Sequence, residues 1–144
     1  MYNGGNLISQ IHRLTDRKIN ELLKKNQINE FNSAQGGIIY ALWPDQILSI
    51  RQISKTTCLA MSSLTTMLIR MEEKGLIETQ KDPNDKRSTL VHLTDKARTS
   101  AIPFEKVSSQ MFDAYYRGFS KKEVVLFEQM LQRVLKNMEE QNED

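Results

Sequence analysis

The sequence has 144 residues, is 39% hydrophobic and carries a formal net charge of +2, which fits one soluble globular domain. It contains no apolar run near the roughly 20 residues that cross a bilayer and no recognisable secretion signal, so we expect a cytoplasmic protein with no membrane partner. One cysteine, Cys58, and two histidines, His12 and His92, exclude an intrachain disulfide and form no metal-binding or catalytic spacing. We therefore predict that the protein is not an enzyme and that it binds neither a metal ion nor a cofactor.

The first two predicted helices begin the chain. Apolar residues at helical spacing predict a long first helix over about residues 5–26. A second helix is predicted from a capping box formed by Asn32 and Gln35, and it ends before Pro44. The apolar positions of the first helix are Leu7, Ile8, Ile11, Leu14, Ile19, Leu22 and Leu23.

The third and fourth predicted helices stand at helix-turn-helix spacing. The third begins at Ser49, again with a glutamine, Gln52, three residues later. A tight turn at residues 57–59 leads to a fourth helix over residues 61–74, which Gly75 ends in a left-handed conformation. The fourth helix is expected to bury three apolar residues, Leu64, Leu68 and Met71. This order is typical of a helix that braces a DNA-recognition helix across the groove.

A β-hairpin follows the fourth helix. Residues 76–81 and 88–94 are predicted strands, joined by a charged turn over residues 82–87 that contains Pro83. Helix-turn-helix and hairpin together predict a winged-helix lobe over about residues 32–94.

The outer face of the fourth helix offers polar groups to a nucleic acid. Its members are Ser62, Ser63, Thr65, Thr66 and Arg70. Side chains of this length reach base edges or phosphates from a helix in a major groove. An ordinary solvated helix has the same composition, so the helix-turn-helix spacing is what favours DNA binding.

The tip of the hairpin offers a second set of candidate DNA contacts. Lys81, Lys86 and Arg87 lie near the turn, and an arginine there can enter a narrow minor groove. Asp85, two residues from Arg87, is expected to hold the guanidinium in one orientation. A charged turn that serves only solubility is the alternative interpretation.

The C-terminal part is predicted to form two helices that pair two chains. Thr94 caps a fifth helix that bends at Pro103 and ends before Gly118, and Ser120 begins the last helix. The last helix carries Val124, Phe127, Leu131, Val134, Leu135 and Met138. These are too many apolar side chains for a helix packed only on a small winged helix. We therefore expect residues 95–141, together with the first helix, to form a dimer interface.

The chain resembles the MarR family of bacterial transcriptional regulators. The resemblance lies in the stretch from Ile53–Ser54 through Lys74–Ile77, the wing at Asp82–Ser88 and the closing Leu93–Thr94. Its most specific part is the Asp-x-Arg of the wing, Asp85 and Arg87. It implies one domain over residues 1–144, mainly α with a small β-wing, in which long N- and C-terminal helices dimerise. It further implies that Arg87 reaches the minor groove with the help of Asp85.

The resemblance also implies a function. The chain is expected to be a repressor that binds double-stranded DNA as a homodimer, at a pseudo-palindromic operator. A small anionic or phenolic effector is expected to release it from the DNA. A winged-helix module for protein–protein interaction, without DNA affinity, is the alternative. Such a module would carry an apolar or acidic outer face on the fourth helix, and the polar face observed in the sequence favours DNA.

Four positions depart from the family's usual pattern. Thr66 and Thr79 stand where arginine is common, Cys58 where the turn often has glycine, and Ala97 where glycine is usual. We expect fewer phosphate contacts and a different base preference. A redox switch at Cys58 is disfavoured, because redox-sensing members place their cysteine in the first helix, which has none here.

Overall fold

The structure is a computed structural model that describes residues 1–99 and 102–141, with only the backbone described at residues 102 and 103. Over these ranges it is mainly α-helical with a small antiparallel sheet, as predicted. The elements in chain order are α1 (Gly4–Lys25), α2 (Ser33–Leu42), β1 (Leu48–Ser49), α3 (Ile50–Thr57), α4 (Met61–Glu73), β2 (Ile77–Asp82), β3 (Asp85–Leu93), α5 (Asp95–Thr99), α6 (Ile102–Tyr116) and α7 (Lys121–Glu140).

The chain divides into two compact units, residues 1–108 and residues 109–144. Helix α6 begins in the first unit and ends in the second. All the fully buried apolar side chains of the described residues lie in the first unit, whereas none of residues 109–141 is buried. The predicted roles of residues 32–94 in DNA binding and of residues 5–26 and 95–141 in dimerisation stay predictions.

The core of the first unit is formed by one face of each central helix and by the sheet. Leu64, Leu68 and Met71 of α4 are buried, which confirms the predicted inner face of this helix. They share the core with Ile38, Ile39, Leu42, Ile53, Leu76, Ile77, Val91 and Leu93. Because this face of α4 is fixed inward, the opposite face is held toward solvent.

Three helices begin at the capping boxes that the sequence predicted. In each, the N-cap side chain accepts a hydrogen bond from the backbone N–H three residues later, and that residue's side chain accepts from the N-cap N–H. The boxes pair Asn32 with Gln35, Ser49 with Gln52 and Ser120 with Glu123. The helix starts could be read from the sequence because these bonds are local.

The end of α4 also follows the prediction. Gly75 has a φ of +73°, a left-handed value that glycine adopts without a Cβ clash. The Leu76 N–H donates to the Met71 carbonyl at 2.9 Å, and the Gly75 N–H donates to the Glu72 carbonyl at 2.9 Å. This pair of bonds is a Schellman motif, which turns the chain directly from α4 into β2.

The sheet contains one strand that the sequence analysis missed. The strand order is β1-β3-β2, with both neighbours antiparallel. The two residues of β1, Leu48 and Ser49, pair with Val91 and Leu90 of β3. Since Ser49 also caps α3, this pairing fixes the first turn of α3 beside the wing.

The prediction of one helix from Thr94 to Tyr116, bent at Pro103, stays a prediction. The structure describes α5 and α6 on either side of residues 100 and 101, and Thr94 caps α5 by accepting from the Ala97 N–H at 3.1 Å. Pro103 is the second described residue of α6. Residues 100 and 101 lie outside the described residues.

Candidate nucleic-acid interface

The outer face of α4 is exposed over its whole length. All five polar residues that the sequence analysis assigned to DNA contact are exposed, namely Ser62, Ser63, Thr65, Thr66 and Arg70. In the described part of the chain, no carboxylate forms an ion pair with Arg70. Its charge is therefore available to an external anion.

The two threonines on this face use their hydroxyl protons inside the helix. The Thr65 Oγ1 donates to the Met61 carbonyl at 2.8 Å, and the Thr66 Oγ1 donates to the Ser62 carbonyl at 3.2 Å. Each bond joins a residue to the one four positions earlier, as is common for threonine in helices. The threonine side chains are therefore held in place, and their hydroxyl donors are occupied.

The wing is a longer hairpin with a shorter turn than predicted. The sequence analysis placed a turn over residues 82–87, but β3 already begins at Asp85, so only residues 83–84 lie between the strands. The Asn84 N–H donates to the Asp82 carboxylate at 2.9 Å, and this side-chain bond closes the turn locally. The sequence analysis made the turn too long, because Asp82 still belongs to β2 and Asp85, Lys86 and Arg87 already belong to β3.

The four predicted wing residues are exposed, and one of them has a different role from the expected one. Lys81 lies next to Asp82, the last residue of β2, and Lys86 and Arg87 are the second and third residues of β3. The Asp85 carboxylate accepts a hydrogen bond from the Arg87 backbone N–H at 3.0 Å. The described residues show no ion pair between this carboxylate and the guanidinium, so Asp85 fixes the backbone at Arg87 and not its side chain.

A cleft of about 600 Å³ separates the first turn of α4 from the wing. Three of the nine predicted site residues line it: Thr65 on the helix side, and Asp85 and Arg87 on the wing side. The other six lie outside it. Its remaining lining residues are Ser49, Ile50, Arg51, Met61, Ser88 and Thr89.

Comparison with known proteins identifies this arrangement. The model of the MarR family matches residues 31–89, which run from just before α2 into β3. The multiple antibiotic resistance protein MarR of Escherichia coli is 28% identical over 132 residues, covering 91% of this chain and 90% of that protein. The transcriptional repressor IacR of Pseudomonas putida is 25% identical, covering 92% of this chain and 77% of that protein.

Solved structures agree with these sequence matches. A mutant MarR from Escherichia coli, complexed with operator DNA, superposes with a TM-score of 0.78 at 26% identity and covers 91% of this chain and 92% of that one. The chain is similar to the MarR family of winged-helix transcriptional regulators. A MarR-family protein is a DNA-binding transcriptional regulator, and the findings support this prediction and not the alternative of a protein–protein interaction module.

The matched residues contain one DNA-contact candidate that the sequence analysis missed. Arg51 is exposed in the first turn of α3 and lines the cleft opposite the wing. In the described part of the chain no carboxylate forms an ion pair with it. The sequence does show an arginine two residues after the capping Ser49, in the predicted first turn of the helix. It does not show the pairing of β1 with β3, which brings Arg51 to the cleft beside the wing.

Among residues 1–99 and 102–141, no three histidine, cysteine, aspartate or glutamate side chains group closely enough to hold a metal ion. None of the helices in those ranges has the length and apolar character needed to span a membrane.

Proposed function

We propose that this protein is a repressor that binds a pseudo-palindromic operator as a homodimer. The observation that carries the proposal is the cleft between α4 and the wing, flanked by exposed groups on both sides. A helix that enters the major groove and a hairpin that reaches the adjacent minor groove must leave room for the sugar-phosphate backbone between them. The cleft supplies that room.

The charges around the cleft suit a backbone that passes through it. Arg51 on α3 and Arg87 on the wing line its two sides, and both are exposed. Cations placed this way bind phosphates and release condensed counterions, whatever the base sequence. Arg87, in a strand of the hairpin, is also suited to reach beyond the backbone into the minor groove.

Exposed apolar surface supports the homodimer. The N-terminal half of α1 leaves Leu7, Ile11 and Leu14 exposed, Leu14 to 60%. The α7 helix leaves seven large apolar side chains exposed, namely Val125, Leu126, Met130, Leu131, Val134, Leu135 and Met138. A second copy of the chain is the partner that would cover both surfaces, and it would supply the second winged helix that a two-part operator requires.

The remaining parts of the proposal rest on the family. A cytoplasmic location, the absence of enzymatic activity, and release from DNA by a small anionic or phenolic effector are carried over from what the resemblance implies. The name of the Pseudomonas putida relative, a transcriptional repressor, supports repression as the direction of regulation.

The test is a binding titration with the DNA that flanks this protein's own gene. We expect the wild-type protein to bind a fragment of it at low salt, with log affinity falling steeply against log salt. Arg51→Ala should reduce the magnitude of that slope by about 1, because one phosphate contact is lost. Arg117→Ala, an exposed arginine outside the winged helix, is the matched control and should leave the slope unchanged. Failure of the wild type to bind any fragment would overturn the proposal.

A further inference from the structure

We propose that α4 reads thymine through methyl contacts made by Thr65, Thr66 and Ile69. The inference rests on the proposed function, because α4 must enter the major groove for these contacts to form. It names the class of base that the helix selects. Thymine is the one DNA base that presents a methyl group, on C5, in the major groove.

The two threonines are the first observation. Their hydroxyl protons are engaged with the carbonyls of Met61 and Ser62, at 2.8 and 3.2 Å. A side chain held this way cannot donate to a base without breaking a bond inside the helix. What it can offer to the groove without cost is its γ-methyl group, together with a hydroxyl oxygen that only accepts.

The position of Ile69 is the second observation. Residues 62, 66 and 69 are spaced at i, i+4 and i+7, so they lie along one face, opposite the buried Leu64 and Leu68. Ile69, the last residue of this row, is 53% exposed. One exposed isoleucine is ordinary on a protein surface. This one follows two threonines with occupied donors on the helix face that meets DNA.

The distribution of donors on α4 gives the third observation. Ser62 and Ser63 stand at the N-terminal end of the face, and Arg70 stands beyond its centre. Donors that can recognise guanine or phosphates therefore flank a central part that is mostly apolar. A surface of this kind favours a thymine methyl and gains nothing from the bare C5–H of cytosine.

The experiment uses duplexes that the full-length protein selects from a randomised library. Each thymine of a selected duplex is replaced singly by deoxyuridine, which removes only the C5-methyl. We expect about fourfold weaker binding at one or two thymines per half-site, the value for loss of one buried methyl-sized group. Equal affinity for thymine and uracil at every position would overturn the inference while leaving DNA binding intact. Selection of no duplex would overturn the proposed function itself.

Matched variants test whether Thr66 and Ile69 are the residues that contact the thymine methyl groups. Thr66→Val keeps the methyl and removes the hydroxyl, so the thymine preference over uracil should persist. Thr66→Ser keeps the hydroxyl and removes the methyl, so the preference should fall toward onefold at the thymine it contacts. Ile69→Ala should abolish the preference at a neighbouring thymine. Both sites are exposed, so folding is not at risk. The opposite pattern, with loss in Thr66→Val and retention in Thr66→Ser, would overturn the inference.

Discussion

The two units of the chain differ in how they bury apolar side chains. The unit of residues 1–108 has a core in which Leu64, Ile53 and Met71 are 0% exposed. In residues 109–141 nothing is buried, and Leu131, in the middle of α7, remains 39% exposed. The first unit therefore completes its own core within one chain, and the second does not.

The second unit is nevertheless organised at one end. The Tyr116 ring packs edge-on against the rings of Phe112, Phe119 and Phe127, with centroids 5.0 to 6.3 Å apart. The Tyr116 hydroxyl donates to the Glu128 carboxylate at 2.6 Å, and this bond raises the pKa of Tyr116 to about 12. Edge-on aromatic pairs contribute about 0.5 to 1.5 kcal/mol each. They hold the end of α6 against α7 and leave the apolar face of α7 uncovered.

This difference indicates that the second unit, which contains α7, depends on a partner for the burial of its apolar side chains. A unit with its own core folds at any protein concentration. A helical pair with an open apolar face gains its missing burial only when a second copy covers it, so its stability depends on concentration.

The largest expected effect comes from a charge on the open face of α7. Leu131→Asp should prevent dimerisation and weaken binding to a two-half-site operator by roughly a hundredfold or more, because the second winged helix is no longer tethered. Sedimentation analysis and a binding titration measure the two effects. Gln132→Asp adds the same charge at an exposed polar position of α7 and should change neither. A Leu131→Asp protein that stayed dimeric would place the interface elsewhere.

A smaller effect is expected from the core of the first unit. Leu64→Ala should lower the free energy of unfolding by about 2 to 5 kcal/mol, since it leaves a cavity in a packed interior. Ile69→Ala, on the exposed face of the same helix, should change it by less than about 0.5 kcal/mol. Denaturant unfolding measures both. Equal costs for the two variants would contradict the assignment of an inner and an outer face to α4.

The smallest effect concerns the start of α7. The Glu123 carboxylate accepts from the Ser120 N–H at 2.7 Å, and this bond lowers the pKa of Glu123. The ionised form is therefore favoured by folding. Its contribution is present above the ordinary glutamate pKa and is lost as the pH falls through the lowered value of the folded state. Hydrogen-exchange protection factors in the first turn of α7, which correct for the intrinsic pH dependence of amide exchange, should fall in that acidic range, and Glu123→Gln should remove this loss of protection. A pH response unchanged in the variant would contradict it.

The sequence predicted those features that depend on local bonds or on one repeating face. The boxes at Asn32, Ser49 and Ser120 and the glycine at position 75 are of this kind. So are the buried Leu64, Leu68 and Met71. Each is decided within about one or two turns of chain, so no knowledge of the tertiary structure was needed.

The features that the sequence analysis missed depend on distant pairing or on alternatives of similar energy. The strand β1 has two residues, too few to show alternation, and its pairing with β3 brings Arg51 to the cleft. Asp85 had two possible donors at Arg87, the backbone and the guanidinium, and the residue types do not decide between them.

The central claim, that the wing and α4 together read DNA, is tested most directly at Arg87. The measurement is operator affinity for Arg87→Ala beside Arg117→Ala, with the thermal midpoint of each protein. We predict that Arg87→Ala weakens binding by roughly 1 to 3 kcal/mol, with a midpoint close to that of the wild type, because the side chain is exposed and contributes little to the core. Arg117→Ala should bind as the wild type does. An Arg87→Ala protein with unchanged affinity would contradict the claim.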